Sequence, residues 1–302
     1  MNIFLTGATG YIGSVIAEKL QAAGHDVVGL ARNETTAQKL AKRNIQPFLG
    51  NLKDPEQLAD GARQADGVIH TAFIHDFDDW AGAVDADCQV IAAFVEALAG
   101  TGKPLLATSD TSVLGDTGSK IVDESHPTAT GFILAERSRA EASVVQASQR
   151  DIRSIVLRLP LYIYGRGGGT SYVPMRLQEA QERGIAHYIG PGQHQVSAVH
   201  VDDVAELYVL ALEKAPAGSI FHAATESGIA EKAIAETIAS VVGCQIEGIS
   251  LEQGIAKWGK GIATFFSINN QVSAEKAIKD LRWQPKASIS LLEDVRLPVG
   301  VE

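Results

Sequence analysis

Three glycines near the start of the chain are spaced for binding a phosphate group. Residues 6–20 read TGATGYIGSVIAEKL, in which glycines stand three apart between an apolar run and an amphipathic stretch. Glycine allows a tight turn and lets backbone N–H groups approach a pyrophosphate, and the positive end of the following helix stabilises the anion. Ala8 takes the place of the second glycine of the G-x-G-x-x-G pattern. A turn serving only strand–helix packing is the alternative. We predict a dinucleotide site formed by Gly7, Ala8, Thr9, Gly10, Tyr11, Ile12 and Gly13.

The end of the second apolar run indicates which dinucleotide would bind. An acidic residue there would accept a hydrogen bond from the ribose 2′-hydroxyl, whereas an arginine would meet a 2′-phosphate. The sequence has Ala31 and Arg32 at this point, and Asp26 comes before the run, at the wrong end of the strand. Arg32 could also be an ordinary solvated residue. We predict NADP as the cofactor, in preference to NAD.

Short apolar runs alternate with helical stretches over the first half of the chain. The pattern predicts strands at 2–6, 26–31, 45–49, 66–71, 104–108 and 153–159, and helices at 11–22, 34–43, 55–61, 82–99 and 133–149. Such alternation is typical of a parallel sheet covered on both faces. We predict an α/β fold, a doubly wound Rossmann-type parallel sheet with a smaller C-terminal α/β cap. Residues 1–160 would bind NADP, and 161–302 would mainly form the substrate-binding cap, with about 196–225 returning to the sheet.

Composition excludes several classes of partner. The 302 residues are 45% hydrophobic and 21% charged, and the formal net charge is −10. Since lysines and arginines are scattered, neither nucleic acid nor a membrane surface is expected as a partner, which leaves a small-molecule substrate. No signal segment or membrane-length apolar run is visible, so we expect a soluble, cytoplasmic protein. Cys88 and Cys244 lack neighbours at metal spacing, and we expect no disulfide and no metal.

Motifs spread along the chain resemble those of a known enzyme superfamily. They are TGATGYIG (6–13), GNLKD (50–54), VIHTAF (68–73), LLATSDTSVLGD (105–116), VLRLPLYIYGRG (156–167), AVHVDDVA (198–205) and LRWQPK (281–286). In this order they resemble the extended, atypical branch of the short-chain dehydrogenase/reductase superfamily, with its NAD(P)-dependent epimerases and dehydratases. The resemblance implies that further cofactor contacts come from Asn51, Leu52, Thr71, Ala72, Phe73, Thr108, Arg137, Pro160 and Tyr162.

The catalytic residues of the superfamily are altered in this chain. Its members carry a Tyr-x-x-x-Lys pair and a Ser or Thr, of which the tyrosine transfers the proton. The resemblance places Ile133 at the tyrosine and Arg137 at the lysine, and it places Asp110 or Thr111 at the hydroxyl position. Arg137 could still hold ribose hydroxyls, but its pKa is too high for proton transfer.

No tyrosine of this chain has a lysine four residues further on. The proton donor would therefore come from elsewhere, with Tyr164, Tyr162, His75 and Asp110 as candidates. We take Thr111, Tyr164 and Arg137 as the predicted catalytic set. The neighbouring charged residues Glu136, Arg139 and Glu141 have the spacing of helix-surface pairs and are expected on the surface.

Three functions agree with these observations. The first is an NADP-dependent oxidoreductase that transfers hydride to or from a small carbonyl or alcohol. The second is an enzyme like the sugar-nucleotide epimerases and dehydratases, which needs an additional anion site, to which Arg166, Arg176 and Arg183 could contribute. The third is a non-catalytic NADP-binding sensor or scaffold, favoured by the missing tyrosine and lysine. The resemblance also implies a homodimer through helices 82–99 and 133–149.

Overall fold

The computed structural model describes residues 1–76, 79–169 and 172–297. Its strands are β1 (Asn2–Thr6), β2 (Asp26–Ala31), β3 (Gln46–Leu49), β4 (Gly67–His70), β5 (Pro104–Asp110), β6 (Arg153–Leu159), β7 (Tyr162–Gly165), β8 (Gly168–Gly169), β9 (Ile185–Ile189), β10 (Gln195–His200), β11 (Ser219–His222), β12 (Glu226–Ala230) and β13 (Gln245–Ile249). Its α-helices are α1 (Tyr11–Ala22), α2 (Glu34–Ala41), α3 (Pro55–Gln64), α4 (Trp80–Leu98), α5 (Ser138–Gln146), α6 (Tyr172–Arg183), α7 (Val201–Lys214), α8 (Glu231–Val242), α9 (Leu251–Phe265), α10 (Glu275–Leu281) and α11 (Leu291–Val295).

The main sheet has seven parallel strands in the order β11-β6-β5-β4-β1-β2-β3. Helices α1 and α7 pack together on one face, and α3, α4 and α5 cover the other. Neighbouring residues of β1 alternate between the two layers, since Ile3 and Leu5 belong to one apolar cluster and Phe4 to the other. A strand buried on both sides therefore reads as a continuous apolar run. The predicted doubly wound sheet is confirmed.

A smaller α/β part lies beyond the carboxyl edge of this sheet. It contains the four-stranded sheet β12-β10-β7-β8 and the parallel pair β13-β9. Helices α6, α8, α9 and α11 pack with these strands around a separate apolar cluster. The predicted α/β cap is thereby confirmed.

Two stretches differ from the expected pattern. The predicted helix 133–149 begins as a 3-10 helix, Ile133–Arg137, continues as α5, and ends in a second 3-10 segment, Ala147–Arg150. Within 196–225, β10 belongs to the cap sheet, whereas α7 and β11 belong to the main sheet layer. A domain boundary at residue 160 stays a prediction. Over the described ranges, no helix combines the length and the apolar character needed to cross a bilayer.

Candidate cofactor and substrate site

The glycine loop after β1 leaves no room for side chains at two of its positions. Gly7 has a φ of +79°, in the left-handed region that favours glycine. A Cβ on Gly13 would overlap the Gly7 carbonyl, because the first turn of α1 lies directly against the loop. Gly10 is exposed at the N-cap of α1, and no acidic side chain stands in the first helical turn. The free N–H groups and the helix dipole therefore favour an anion here.

A buried hydrogen-bonded chain supports this loop from below. The Thr6 hydroxyl accepts hydrogen bonds from the backbone N–H groups of Thr71 and Ala72, both at 3.2 Å, so its own proton is directed to His70 Nδ1 at 2.7 Å. His70 Nε2 then donates to Asp87 Oδ1 on α4, at 2.9 Å. The ends of β1 and β4 are thus fixed together beneath the glycine loop. Sequence analysis missed His70 and Asp87; the only signal was a histidine inside the apolar run of β4.

The predicted ribose and adenine contacts lie at the carboxyl ends of β2 and β3. Arg32 is exposed directly after β2, and Asn33 caps α2 by accepting from Thr36 N. Asn51 follows β3, and its side chain accepts a hydrogen bond from Lys53 N at 3.0 Å. Arg32 and Asn51 therefore border the glycine-loop edge of the sheet. Asp26 starts β2, at the opposite edge.

Arg137 contacts several other residues that the sequence predicted for the cofactor and catalytic site. Its buried guanidinium donates to Asp110 Oδ2 at 2.6 Å and to the Thr108 carbonyl at 3.1 Å. It also lies over the Phe73 ring, 4.1 Å from the ring centre. Burial opposes the charge, but the nearby carboxylates outweigh this effect and raise the pKa of Arg137. A permanent cation therefore stands at the ends of β4 and β5.

Thr111 does not fit the predicted hydroxyl role. It is fully buried, and its hydroxyl donates to Asn270 Oδ1 at 2.5 Å. The amide of Asn270 in turn donates to the Thr111 and Gly115 carbonyls. This arrangement joins the turn after β5 to the segment before α10, and a proton supplied to substrate would have to break it. The side chain at the other predicted position, Asp110, is instead partly exposed.

The hydroxyls of the two tyrosines on β7 also form hydrogen bonds that do not fit their predicted roles. Tyr162 is fully buried and donates to Glu231 Oε1 at 2.8 Å inside the cap. Tyr164 donates to Glu226 Oε1 at 2.5 Å and to the Ile289 carbonyl at 2.8 Å. Burial and the Glu226 carboxylate raise the pKa of Tyr164. Both hydroxyls serve the interior of the cap, which argues against Tyr164 as the proton donor and against a cofactor contact through the Tyr162 hydroxyl.

The charged run at 136–141 is not a simple surface face. Glu141 is buried and forms a bidentate ion pair with Arg158 of β6. The exposed Arg139 pairs with Asp85 on α4 rather than with Glu136. The surface prediction was therefore wrong for Glu141, because this residue lies on the buried side of α5 with Ala140 and Val144, where Arg158 pairs with it.

Two of the three arginines considered for an additional anion site have carboxylate partners, whereas Arg183 is exposed at the end of α6. Arg176 is buried and donates to Glu231 Oε2 at 2.7 Å. Arg166 donates to Glu18 and Asp202, so it connects the loop after β7 to α1 and α7. These two guanidinium groups are already neutralised within the protein.

Aromatic side chains gather where the cap meets the Arg137 edge of the sheet. Ring centres lie 5.4 Å apart for Phe73 and Trp80, and 5.2 Å apart for Tyr172 and Phe265. Several of these side chains pack on the cap cluster while remaining partly exposed. They are the aromatic residues Phe73, Phe132, Tyr172 and Trp258, together with the aliphatic Ile133. These side chains are apolar, and the polar groups beside them include the Arg137–Asp110 pair and His75, whose ring centre lies 5.1 Å from that of Phe73.

The fold and this edge are those of a Rossmann-type α/β protein with a smaller α/β cap. The model of the NAD dependent epimerase/dehydratase family matches residues 3–224. The chain belongs to this family, within the extended short-chain dehydrogenase/reductase superfamily, whose members are NAD(P)-dependent and act on small molecules. The predicted superfamily resemblance is confirmed.

Individual relatives include both uncharacterized proteins and reductases. The chain is 40% identical over 298 residues to Schizosaccharomyces pombe "Uncharacterized protein C2A9.02", covering 98% of each. It is 30% identical over 242 residues to the 4-hydroxy-2-methyl-3-oxo-4-farnesyl-3,4-dihydroquinoline-1-oxide ketoreductase of Stigmatella aurantiaca, covering 73% of this chain and 67% of that one. The solved dTDP-glucose 4,6-dehydratase from Streptomyces venezuelae, with NAD and TYD bound, superposes with a TM-score of 0.81 at 18% identity, covering 98% and 96% of the two chains.

Proposed function

We propose that this protein is an NADP-dependent carbonyl reductase that acts on an apolar ketone or aldehyde. The observation that carries the proposal is the charge state of the cap. Arg176 is neutralised by Glu231 and Arg166 by Glu18 and Asp202, the remaining Arg183 is exposed at the end of α6, and aromatic side chains pack on the cap cluster. Binding a sugar nucleotide would require free cations for its phosphates, whereas an uncharged carbonyl compound matches an apolar surface.

Residues at the sheet edge provide the contacts that the cofactor requires. Backbone N–H groups of the glycine loop and the start of α1 would hold the pyrophosphate. Arg137 would contact ribose hydroxyls near the nicotinamide, and Arg32 would pair with the 2′-phosphate. When bound, the nicotinamide supplies the hydride chemistry, while the protein orients it and excludes water. The ketoreductase of Stigmatella aurantiaca supports a reductase among related chains.

A non-catalytic NADP sensor is the second candidate function. The observation in its favour is Ile133, which stands where the resemblance calls for the proton-donating tyrosine and packs on the cap cluster. In this alternative the Arg137–Asp110 pair would contribute only to the binding of NADP. Tight NADPH binding without turnover of any carbonyl compound is the result expected of a sensor.

Cofactor preference and turnover can be measured together. We expect NADPH to bind more tightly than NADH in fluorescence titrations, and Arg32→Ser to remove most of that preference, by roughly tenfold for one lost charge-assisted contact. Lys39→Ser, on the exposed side of α2, removes the same charge and should leave the preference unchanged. Consumption of NADPH would then be followed with a panel of aromatic and aliphatic ketones. Failure to bind either nucleotide contradicts the proposal, and an NADH preference contradicts the role of Arg32.

A further inference from the structure

One tyrosine, Tyr172, lies at the meeting point of the cap and the sheet edge with its hydroxyl uncommitted. Four of the six tyrosines donate or share a side-chain hydrogen bond elsewhere: Tyr11 with the Gly165 carbonyl, Tyr162 with Glu231, Tyr164 with Glu226 and Tyr208 with Thr108. Tyr188 lies on β9 beneath Lys232, in the outer strand pair of the cap. Among the described residues, no hydrogen bond is formed by the hydroxyl of Tyr172.

The surroundings of Tyr172 fix its ring at the interface. It is the first residue of α6, and its ring centre lies 5.2 Å from Phe265 and 5.7 Å from Phe266. Tyr172 and Ile133 are both partly buried and pack on the same apolar cluster. The cap tyrosine and the position of the missing family tyrosine therefore belong to the same apolar cluster, which also includes Phe73, whose ring lies against Arg137.

Charged groups of the sheet edge act on this hydroxyl. Burial raises the pKa of Tyr172, the Asp110 carboxylate raises it further, and the Arg137 guanidinium lowers it. The phenol is therefore protonated at neutral pH, as a proton donor must be, and Arg137 partly offsets the larger effect of Asp110 on the phenolate that forms after transfer.

We propose that Tyr172, supplied by the cap, is the general acid of the reductase in place of the tyrosine absent at position 133. This inference rests on the proposed function. During reduction the carbonyl carbon receives hydride from NADPH, and the π electron pair moves to the carbonyl oxygen. That oxygen takes the phenolic proton of Tyr172, giving alcohol and NADP⁺, and water afterwards returns a proton to the phenolate. Arg137 balances the transient negative charge.

The first test uses acetophenone in a complex that cannot react. With NADP⁺ bound, no hydride is available, so calorimetry measures only the affinity for the ketone. Tyr172→Phe should weaken acetophenone binding by about three- to tenfold, the effect of losing one neutral hydrogen bond. Tyr188→Phe removes a hydroxyl from the same cap and should bind acetophenone like the wild type. Equal affinities of wild type and Tyr172→Phe would overturn the proposal.

The second test follows NADPH oxidation with acetophenone and a panel of substituted aromatic ketones. Tyr172→Phe should lower kcat by about 100-fold or more while the Kd for NADPH stays unchanged, since general acids contribute at least this much. Adding Ile133→Tyr to Tyr172→Phe should restore part of kcat, because position 133 is where the superfamily carries its tyrosine, and Ile133 packs on the same apolar cluster as Tyr172. A merely structural role of Tyr172 would give no such rescue. A wild-type kcat in Tyr172→Phe overturns this inference alone. Absence of turnover by the wild type with every ketone overturns the proposed reductase, and this inference falls with it.

Discussion

Arg137 and Asp110 form a charged pair; the resemblance predicts Arg137 at the superfamily's lysine position and either Asp110 or Thr111 at its hydroxyl position. The pair is only partly open to solvent, since 9% of the Arg137 side chain and 23% of the Asp110 side chain are exposed. A lysine can share its proton and rotate, whereas a guanidinium between a carboxylate, a carbonyl and the Phe73 ring is fixed in place. The substitution therefore exchanges a mobile ammonium for a rigid permanent cation.

Removing this cation should reduce both stability and cofactor affinity. Arg137→Met leaves Asp110 without its partner, and we expect a loss of about 2–4 kcal/mol in the free energy of unfolding. Urea unfolding measures this loss, and NADPH titration should show weaker binding. In the double variant Arg137→Met/Asp110→Asn the stability loss should be smaller than the sum of the single losses, because no unpaired charge remains. Additive losses would contradict a direct interaction between these two side chains.

Among the elements, β11 and β6 bring together a buried polar cluster at the edge of the main sheet. Arg158 of β6 pairs with Glu141 and lies 3.3 Å from Nε2 of His222, the last residue of β11. His222 is fully buried. Burial, and then the charge of Arg158, lower the pKa of His222 to about 3. The histidine is therefore neutral in the folded protein.

This lowered pKa predicts an acid sensitivity. The unfolded chain takes up a proton on His222 near its ordinary pKa of about 6.5, whereas the folded protein does so only near 3. Stability is therefore complete above about pH 6.5 and falls as the pH drops through this window, by up to about 1.4 kcal/mol per pH unit. His222→Gln should flatten this slope in urea unfolding measured between about pH 7 and about pH 5.

A control on the same strand separates protonation from packing. Ile220→Val in β11 should lower stability by about 1 kcal/mol at every pH and leave the slope as in the wild type. A His222→Gln variant that retains the wild-type slope would contradict the assignment.

The sequence predicted the limits of those strands and helices that depend on local patterns of apolar residues and glycines. The strand limits of β1, β2 and β6 and the helix limits of α1 agree with prediction, because apolar periodicity and glycine turns determine them. The hydrogen-bond partners of the side-chain hydroxyls could not be predicted. Thr111 bonds to Asn270, 159 residues away, and Tyr162 to Glu231, 69 residues away. The spacing of residues in a single sequence does not indicate which distant residues will form such hydrogen bonds.

Tyr172 was missed for the same reason. The search for a proton donor followed the family spacing of tyrosine and lysine, and Tyr172 has an arginine four residues on. Its closeness to Asp110 and Arg137 exists only once the cap lies over the sheet. The position of the predicted cofactor site, by contrast, could be derived from the glycine spacing and the order of the first strands.

For the whole molecule, cofactor binding should stabilise the fold as one unit. The glycine loop, Arg32 and Arg137 come from separate segments, so a ligand that contacts them all binds only the folded chain. At a concentration 100-fold above its Kd, NADPH should stabilise by about 2.7 kcal/mol, which corresponds to a Tm increase of roughly 4 °C for a chain of this length.

Thermal melts of wild type and Arg32→Ser with NADPH or NADH measure this coupling. We expect the wild type to show the larger Tm increase with NADPH, and Arg32→Ser to respond almost equally to the two nucleotides at one concentration. A Tm that NADPH leaves unchanged at saturating concentration would contradict binding at the folded edge.

The placement of β11 at the outer end of the main sheet also affects how the chain is made. Strand β11 covers β6, although the residues between them build α6 and several cap strands. During synthesis β6 therefore has an unpaired edge until residue 222 has left the ribosome, and edge strands of this kind can pair with other chains. A nascent chain that stops within the cap would expose this apolar edge of β6. We therefore expect truncated chains that end between β6 and β11 to aggregate through β6, and chains that include β11 not to do so.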